Sequence, residues 1–410
     1  MTLYGRNGKS YFLESSPFAT GGEGKIFNLV GEPDTVAKVY KSPDGREKKI
    51  LVMIDESPSK EQLRQIAWPL DVLYDYAKNF VGFTMYKLNI NEDLNVIYEY
   101  GTGAKYSQLP WRNKIIIGRN LCAVVGSMHD AGHIIGDFNP KNISVNATTG
   151  RITMLDADSC HIKDGTYRCT VAMPDYVLRG IQKKMKKHGL ESAPLPTFTK
   201  ESDNFALAIH IFQLLMNGVH PFASAVAPGY ESESASLPSD NIMRGECAFF
   251  RYVRHRIPPR FAPSIKILPK KMRLMFRRAF LTKKPPTADQ WFAQLVNLEK
   301  NLVNCRRIPY HQYRKAKKCP WCAADANFTS TIKTVKKKEA KVKETKVKEE
   351  QNKRRSEQKR EYKKRLNAER RRLGIPRISK EVKDVLLVAL LLIGVAIAVV
   401  VAPTLLGMLT

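Results

Sequence analysis

Along the first hundred residues the apolar positions come in short β-branched runs broken by glycines, which predicts strands and tight turns; residues 35–40 (TVAKVY) read as a buried strand. The spacing then lengthens. Over residues 114–129, Ile115, Ile116, Leu121, Val124, Val125 and Met128 recur at helical intervals, and over 203–216 so do Phe205, Ile209, Phe212, Leu215 and Met216. The second stretch is apolar nearly all round, which predicts a central helix buried on every side. Residues 1 to about 300 therefore read as one large mixed α and β region, without an internal repeat. Past it the pattern changes twice. Residues 329–384 are rich in Lys, Glu, Arg and Gln, with no sustained heptad seam, and predict a stalk that is either a solvated helix or disordered. Residues 385–402 (VLLVALLLIGVAIAVVVA) carry no charge. As a helix they span about 27 Å, close to the roughly 30 Å of a hydrocarbon core. A buried core helix, the competing reading, would show a polar face and partners after it.

Composition narrows the partners. The chain's 410 residues give room for roughly two or three folding units. Its 68 Lys and Arg against 39 Asp and Glu leave +29, which draws it toward anionic surfaces. Residues 330–384 alone hold 22 basic against 9 acidic residues, a net +13. A basic stalk abutting an apolar stretch makes anionic lipid the expected neighbour. It predicts a single transmembrane helix over 385–404, inserted after synthesis as a tail anchor with the rest of the chain on the cytoplasmic side. The 7 cysteines are odd in number and scattered, which argues against a secreted disulfide framework, and the opening MTLYGRNGKSYF holds no apolar run of the signal-peptide kind.

The candidate chemistry lies in the order of five features. Gly21, Gly22 and Gly24 sit in ATGGEGKI (19–26), which alone reads as a hairpin turn. Lys38 follows in an apolar strand, where a buried ammonium is costly unless an anion meets it. After the helix of 114–129 comes MHDAGHIIGDFNPKNI (128–143), with Asp137 and Asn142 five apart in a loop. The apolar run ITML (152–155) delivers Asp156-Ala157-Asp158, and Asp203 opens the buried helix. Singly, each aspartate reads as a cap or turn residue. In this order, residues 1 to about 300 resemble a eukaryotic-like protein kinase of a divergent bacterial type, serine/threonine-kinase-like.

That resemblance implies an α+β, two-lobed fold, with an N-lobe over about 1–88 and a C-lobe over about 89–300. The implied reaction is transfer of the γ-phosphate of ATP, with Mg²⁺ or Mn²⁺, to a protein hydroxyl, serine or threonine being the expected acceptor. It places Gly21, Gly22, Gly24, Ile26 and Ala37 around the nucleotide and Met85, Tyr86 and Leu88 at the hinge that receives adenine. It assigns Lys38 to the α- and β-phosphates and Glu47 to the ion pair that holds Lys38, with Glu56 and Glu61 also in range. Asp137 takes the proton of the attacking hydroxyl, Asn142 and Asp156 hold the metal, and Asp203 ties down the catalytic loop. Asp158 stands where the family places a glycine and competes with Asp156 for metal, Asp156 being preferred for its spacing.

The departures from the family matter as much. Ile135-Gly136 replaces His-Arg, so no arginine grips an activation-segment phosphate; Asn139 replaces a lysine and Met173 a threonine. Gly180 and Pro285 stand in place of both members of a buried ion pair. These changes keep a second reading open, a nucleotide-binding pseudokinase scaffold.

Cys305, His311, Cys319 and Cys322 follow in a C-x₅-H-x₇-C-P-W-C arrangement, within a segment (301–328) too short for a core of its own. The spacing predicts a zinc-ribbon-like site with structural Zn²⁺; a redox pair of Cys319 and Cys322, with His311 at the surface, is the alternative. Basic runs such as KKMKK (183–187) lack interleaved aromatics, so nucleic acid is not an expected partner. A basic zinc-containing nucleic-acid-binding protein stays as a third reading, behind protein substrates and a membrane as the expected partners.

Overall fold

Seven strands form one antiparallel sheet: β1 (Thr2–Tyr4), β2 (Ser10–Phe12), β3 (Ala19–Thr20), β4 (Gly24–Leu29), β5 (Glu32–Tyr40), β6 (Asp71–Tyr74) and β7 (Phe80–Tyr86). The spatial order is β2-β1-β6-β7-β5-β4-β3. The predicted strand of 35–40 is thus the second half of β5, between β4 and β7, with Lys38 facing Ile26 on one side and Phe83 on the other. Two short helices, α1 (Glu47–Asp55) and α2 (Lys60–Leu63), fill the connection from β5 to β6. α1 packs on the sheet through Ile50 and Met53, both buried, and the indole of Trp68 donates to the Met53 carbonyl at 2.8 Å.

A three-stranded sheet, β8 (Glu92–Asp93), β9 (Ile143–Val145) and β10 (Ile152–Met154), carries the loops of interest. It is tied to the first sheet's connection by the Ala67 N–H on the Met154 carbonyl (2.9 Å) and the Met154 N–H on the Gln65 carbonyl (2.8 Å). Helices dominate the rest: α3 (Leu94–Tyr98), α4 (Trp111–Asp130), α5 (Arg179–Ser192), α6 (Lys200–Leu215), α7 (Pro238–Arg244), α8 (Lys270–Leu281) and α9 (Ala288–Lys300). α6 is buried from Ser202 to Leu215, as its all-round apolar pattern predicts, but it begins at Lys200, three residues before Asp203. Thr199 caps it, its hydroxyl accepting the Ser202 N–H while the Ser202 hydroxyl accepts that of Thr199. α4 lies against α6 and α9, and Phe212, Phe276, Phe280 and Trp291 form an aromatic core behind them.

Two ribbons complete the described strands: β11 (Ala225–Val226) with β12 (Arg256–Ile257), and β13 (Leu302–Asn304) with β14 (Gln312–Arg314). The last described helix, α10, runs Pro320–Arg372, so the segment 301–328, expected as zinc-ribbon-like, contains the hairpin β13–β14 and the start of that helix. The chain divides into two compact units, 1–332 and 333–410. The computed structural model describes residues 1–374 except 102, 163–164 and 315–317, with the side chains of residues 60, 334–347 and 352 also left out. Among the described residues no helix is long and apolar enough to cross a membrane, and the transmembrane helix expected over 385–404 lies outside them.

Candidate functional site

Lys38 is the centre of the site. Burial opposes its charge, yet the neighbouring Asp158 and Asp156 outweigh that cost and hold the ammonium above its ordinary pKa. Its Nζ lies 2.7 Å from both carboxylate oxygens of Asp158 and 3.1 Å from Asp156 Oδ1, with Glu23 at 3.8 Å. Glu47, which the resemblance pairs with Lys38, is turned elsewhere: its Oε1 accepts the hydroxyl of Tyr74 at 2.7 Å. The reason is local. Glu47 is the first residue of α1, while the cations Arg46 and Lys49 are the residues beside it that face Asp158. The partner that the family draws from this helix therefore comes from the Asp-Ala-Asp turn.

Asp158 is fully enclosed. Burial disfavours its charge, but the Lys38 cation and the hydrogen bonds of Lys38 and of Tyr40 (2.5 Å) hold its carboxyl below the ordinary range. Asp156 goes the other way, pushed up by burial and by the Asp158 charge, which Lys38 only partly offsets. It sits in the left-handed region (φ 55°, ψ 40°), a conformation aspartate tolerates, and this turns it toward the loop carrying Asn142. Lys49 is held below its ordinary pKa by burial.

The second half of the site is the loop after α4. Asp137 Oδ1 accepts the Met173 N–H (3.0 Å), and Oδ2 accepts the side-chain amides of Asn139 (2.9 Å) and Asn142 (3.3 Å). Asn139, where the family has lysine, thus orients the aspartate, and Met173 contributes backbone rather than a hydroxyl. Asn142 also gives its amide to the Asp137 carbonyl (3.1 Å), which leaves its side-chain oxygen free beside Asp156. The loop is held from below by Asp203, whose carboxylate accepts the N–H groups of Ile135 (2.7 Å) and Gly136 (3.0 Å) and faces His129 Nε2 at 3.0 Å. Gly136 has φ +78°, and a Cβ there would lie 2.8 Å from that of Cys169, so the missing arginine is replaced by a backbone turn with Cys169 against it. Asp156 and Asn142 line one pocket beside the Lys38 cation, and their oxygens would suit a hard divalent ion.

Above the site, Gly21 donates its N–H to the Gly24 carbonyl at 2.9 Å, closing the β3–β4 turn; the hairpin reading and the glycine-loop reading describe the same object. Ile26 and Ala37 lie on the adjacent strands β4 and β5. Met85 and Tyr86 end β7, with Val36 opposite Met85, and Leu88 follows two residues on, after Lys87 has bonded back to the Asp34 carbonyl (2.8 Å). Sequence reasoning missed a spoke from α6. His210, fully buried, lies 2.7 Å from the Tyr98 hydroxyl through Nδ1 and 3.0 Å from the Phe138 carbonyl through Nε2, joining α3 to the loop after α4. A histidine inside an apolar helix was the signal available.

The four sulfur and nitrogen ligands predicted for zinc do converge. Cys305 Sγ lies 3.7 Å from Cys322 Sγ, and His311 Nδ1 lies 3.6 and 3.8 Å from the sulfurs of Cys322 and Cys319. Zn–S bonds of about 2.3 Å and a Zn–N bond of about 2.0–2.1 Å give tetrahedral edges of about 3.8 Å between sulfurs and about 3.6 Å from nitrogen to sulfur. These three edges agree, and all four ligand atoms lie within 4.8 Å of one another. The Arg307 N–H reaches Cys305 Sγ at 3.4 Å and lowers that thiol's pKa. His311 gives its other nitrogen to Asp325 Oδ2 at 3.0 Å, and Asp325 also receives the hydroxyl of Tyr100. A carboxylate behind a ligand imidazole fixes its tautomer and raises its basicity. The segment is moored by the Trp321 ring on Trp111 (5.1 Å between centroids) and by Phe328, whose ring occupies the space a Cβ of Gly101 would need.

With this geometry in view, the chain has a divergent protein-kinase-like α+β fold. It is 28% identical over 325 residues to Protein kinase YegI of Escherichia coli (strain K12), covering 74% of this chain and 47% of that protein. It is likewise 28% identical over 344 residues to Protein kinase YegI of Escherichia coli O157:H7, covering 79% of this chain and 50% of that protein. The chain thus spans about half the length of the curated relatives it matches. Among solved structures it is similar to the autoinhibited serine kinase domain of the giant muscle protein titin, with a TM-score of 0.48 and 15% identity over 73% of this chain and 83% of that one. No family model matches the chain.

Proposed function

We propose that this chain is an ATP- and Mg²⁺-dependent protein kinase that phosphorylates serine or threonine hydroxyls of proteins. The observation that carries the proposal is the convergence of Lys38, Asp156 and Asp158 beside Asp137 and Asn142, five polar residues from strand, turn and loop. The acceptor oxygen bonds to the γ-phosphorus as the bond to the β–γ bridging oxygen breaks and ADP leaves; the hydroxyl proton passes to Asp137. Asp137 Oδ2 already accepts two amides and Oδ1 one backbone N–H, so the carboxylate is oriented while one lone pair of Oδ1 remains for the proton. Lys38 gives its charge to the phosphates, with Asp158 as the carboxylate that keeps it extended. Asp156 and Asn142 would hold Mg²⁺, which would supply charge neutralisation to the phosphates. Asp203 fixes the loop through two backbone N–H groups, so positioning is built into the fold.

One observation favours the second reading, a nucleotide-binding scaffold: Lys38 already has both oxygens of Asp158 and one of Asp156. A single experiment separates the two. The full chain is incubated with labelled ATP, Mg²⁺ and a generic protein acceptor, alongside Asp137→Asn. The kinase loses about 10²–10⁴ in transfer rate in the variant while still binding ATP. A wild type that binds ATP, transfers no phosphate and equals Asp137→Asn makes the chain a scaffold.

Two further proposals go with this reading. Cys305, His311, Cys319 and Cys322 hold a structural Zn²⁺, supported by the convergence of their ligand atoms within 4.8 Å of one another. Residues 385–404 anchor the chain in a membrane with the kinase on the cytoplasmic side, supported by the uncharged stretch and the net +13 upstream of it. Extraction of the chain from membranes by salt alone, without detergent, would defeat the anchor.

A further inference from the structure

Where the family's buried ion pair is lost, the structure opens a cleft of about 1130 Å³. Gly180, in place of the acid, lies on its wall; a Cβ there would meet nothing within 4 Å. The floor is apolar, built from Phe205, Phe222, Ile242, Phe250 and Phe280. The rim is cationic: Arg179 and Lys183 on α5, Arg251 in a loop, and Arg277, Lys283 and Lys284 at and beyond the end of α8. All six are exposed, and among the described residues none has an ion-pair partner; Glu201 is the one acid on the rim. Tyr252, also on the rim, is 86% exposed.

From these observations we infer that the cleft docks an acidic segment of the protein substrate, with an aromatic or aliphatic side chain anchored on the phenylalanine floor. The inference rests on the kinase reading and names its substrate class. Charge complementarity decides the occupant. The cations come from three elements around the mouth, which suits successive carboxylates of an extended peptide better than the single headgroup of a lipid. The chain's own apolar stretch 385–402 has no acid to set against them, and a second copy is itself strongly basic at +29. The position is also right. Leu178 and Arg179 line the cleft and lie a few residues beyond Met173, whose N–H holds Asp137, so a segment seated here delivers its neighbouring residues toward the catalytic loop.

The test uses the full chain in neutral phosphatidylcholine nanodiscs and a fluorescein-labelled peptide of repeated Glu-Glu-Phe ending in a serine segment, read by anisotropy and by phosphotransfer. Wild type is expected to bind the peptide, less tightly as salt rises. Gly180→Trp places an indole on the cleft wall, where an added Cβ meets nothing within 4 Å, and should weaken binding about tenfold or more. Lys283→Glu/Lys284→Glu should weaken it and flatten the salt dependence. In both variants KM for the peptide rises, while ATP binding, melting temperature and transfer to a small uncharged acceptor peptide match wild type. The inference is overturned if the peptide does not bind, if the variants bind it as wild type does, or if phosphatidylglycerol vesicles occupy the site in its place. Anisotropy needs no catalysis, so a chain that binds the peptide but phosphorylates nothing overturns the kinase reading instead.

Discussion

Asp158 and Glu47 test the site residue by residue, because the fold gives them the reverse of the duties the resemblance implies. Asp158→Asn removes half of a buried ion pair and leaves Lys38 with Asp156 and the more distant Glu23, so it should lower stability by about 3 kcal/mol and raise KM for ATP. The Asp158→Glu variant, which restores the charge, should recover part of the ATP affinity. Glu47→Gln keeps an acceptor for Tyr74 and should leave ATP kinetics within about twofold, since substitutions away from buried charges are mild. Equal effects of Asp158→Asn and Glu47→Gln on KM would remove Asp158 from the role. The order of Lys38, Asp137, Asn142 and Asp156 along the chain made these residues legible as a set, and the fold brings them to one place. The sequence could not reveal the partner of Lys38. That choice depends on which side of a short helix faces inward, and here Arg46 and Lys49 take that side.

At the scale of elements, the hairpin β13–β14 and the first turn of α10 bring four ligand residues together in a segment too short for a core of its own. Spacing alone made the four ligands readable, since Cys-x-x-Cys on a helical turn has the bite zinc requires. Asp325 was not readable: it lies one turn past Cys322 and acts through His311 and Tyr100, a relation only folding creates. Purified protein should carry about one equivalent of zinc, because a site of this kind contributes on the order of 10 kcal/mol to its own folding. Cys319→Ser should lose the metal and expose residues 301–328 to proteolysis while leaving ATP binding intact. Asp325→Asn keeps all four ligands, so zinc should remain but weaken by about 10–100-fold in competition with a chelator. Zinc binding unchanged in Asp325→Asn would mean that the carboxylate does not support His311.

Across the whole molecule, the buried polar groups of α6 and its surroundings make stability depend on pH in a way the sequence does not announce. His210 Nε2 donates to the Phe138 carbonyl and Nδ1 accepts from the Tyr98 hydroxyl; His220 Nε2 donates to the Asp175 carbonyl and Nδ1 accepts the Phe222 N–H at 3.2 Å. Both rings are thereby fixed as neutral, and burial lowers both pKa values to about 3. The unfolded chain protonates them near 6.5, so between about 6.5 and 3 it binds more protons than the folded chain, and folding loses free energy as pH falls. Stability from this source is complete above about pH 6.5 and declines by about 2 kcal/mol per histidine by pH 5, before most ordinary carboxylates titrate. Thermal unfolding followed from pH 7 to pH 5 should therefore show a steep drop. In His220→Gln, whose amide can still reach the Asp175 carbonyl, the protein should be less stable at pH 7 yet lose about 2 kcal/mol less between pH 7 and pH 5. A drop in the variant as large as that of wild type would show that the acid sensitivity comes from other groups.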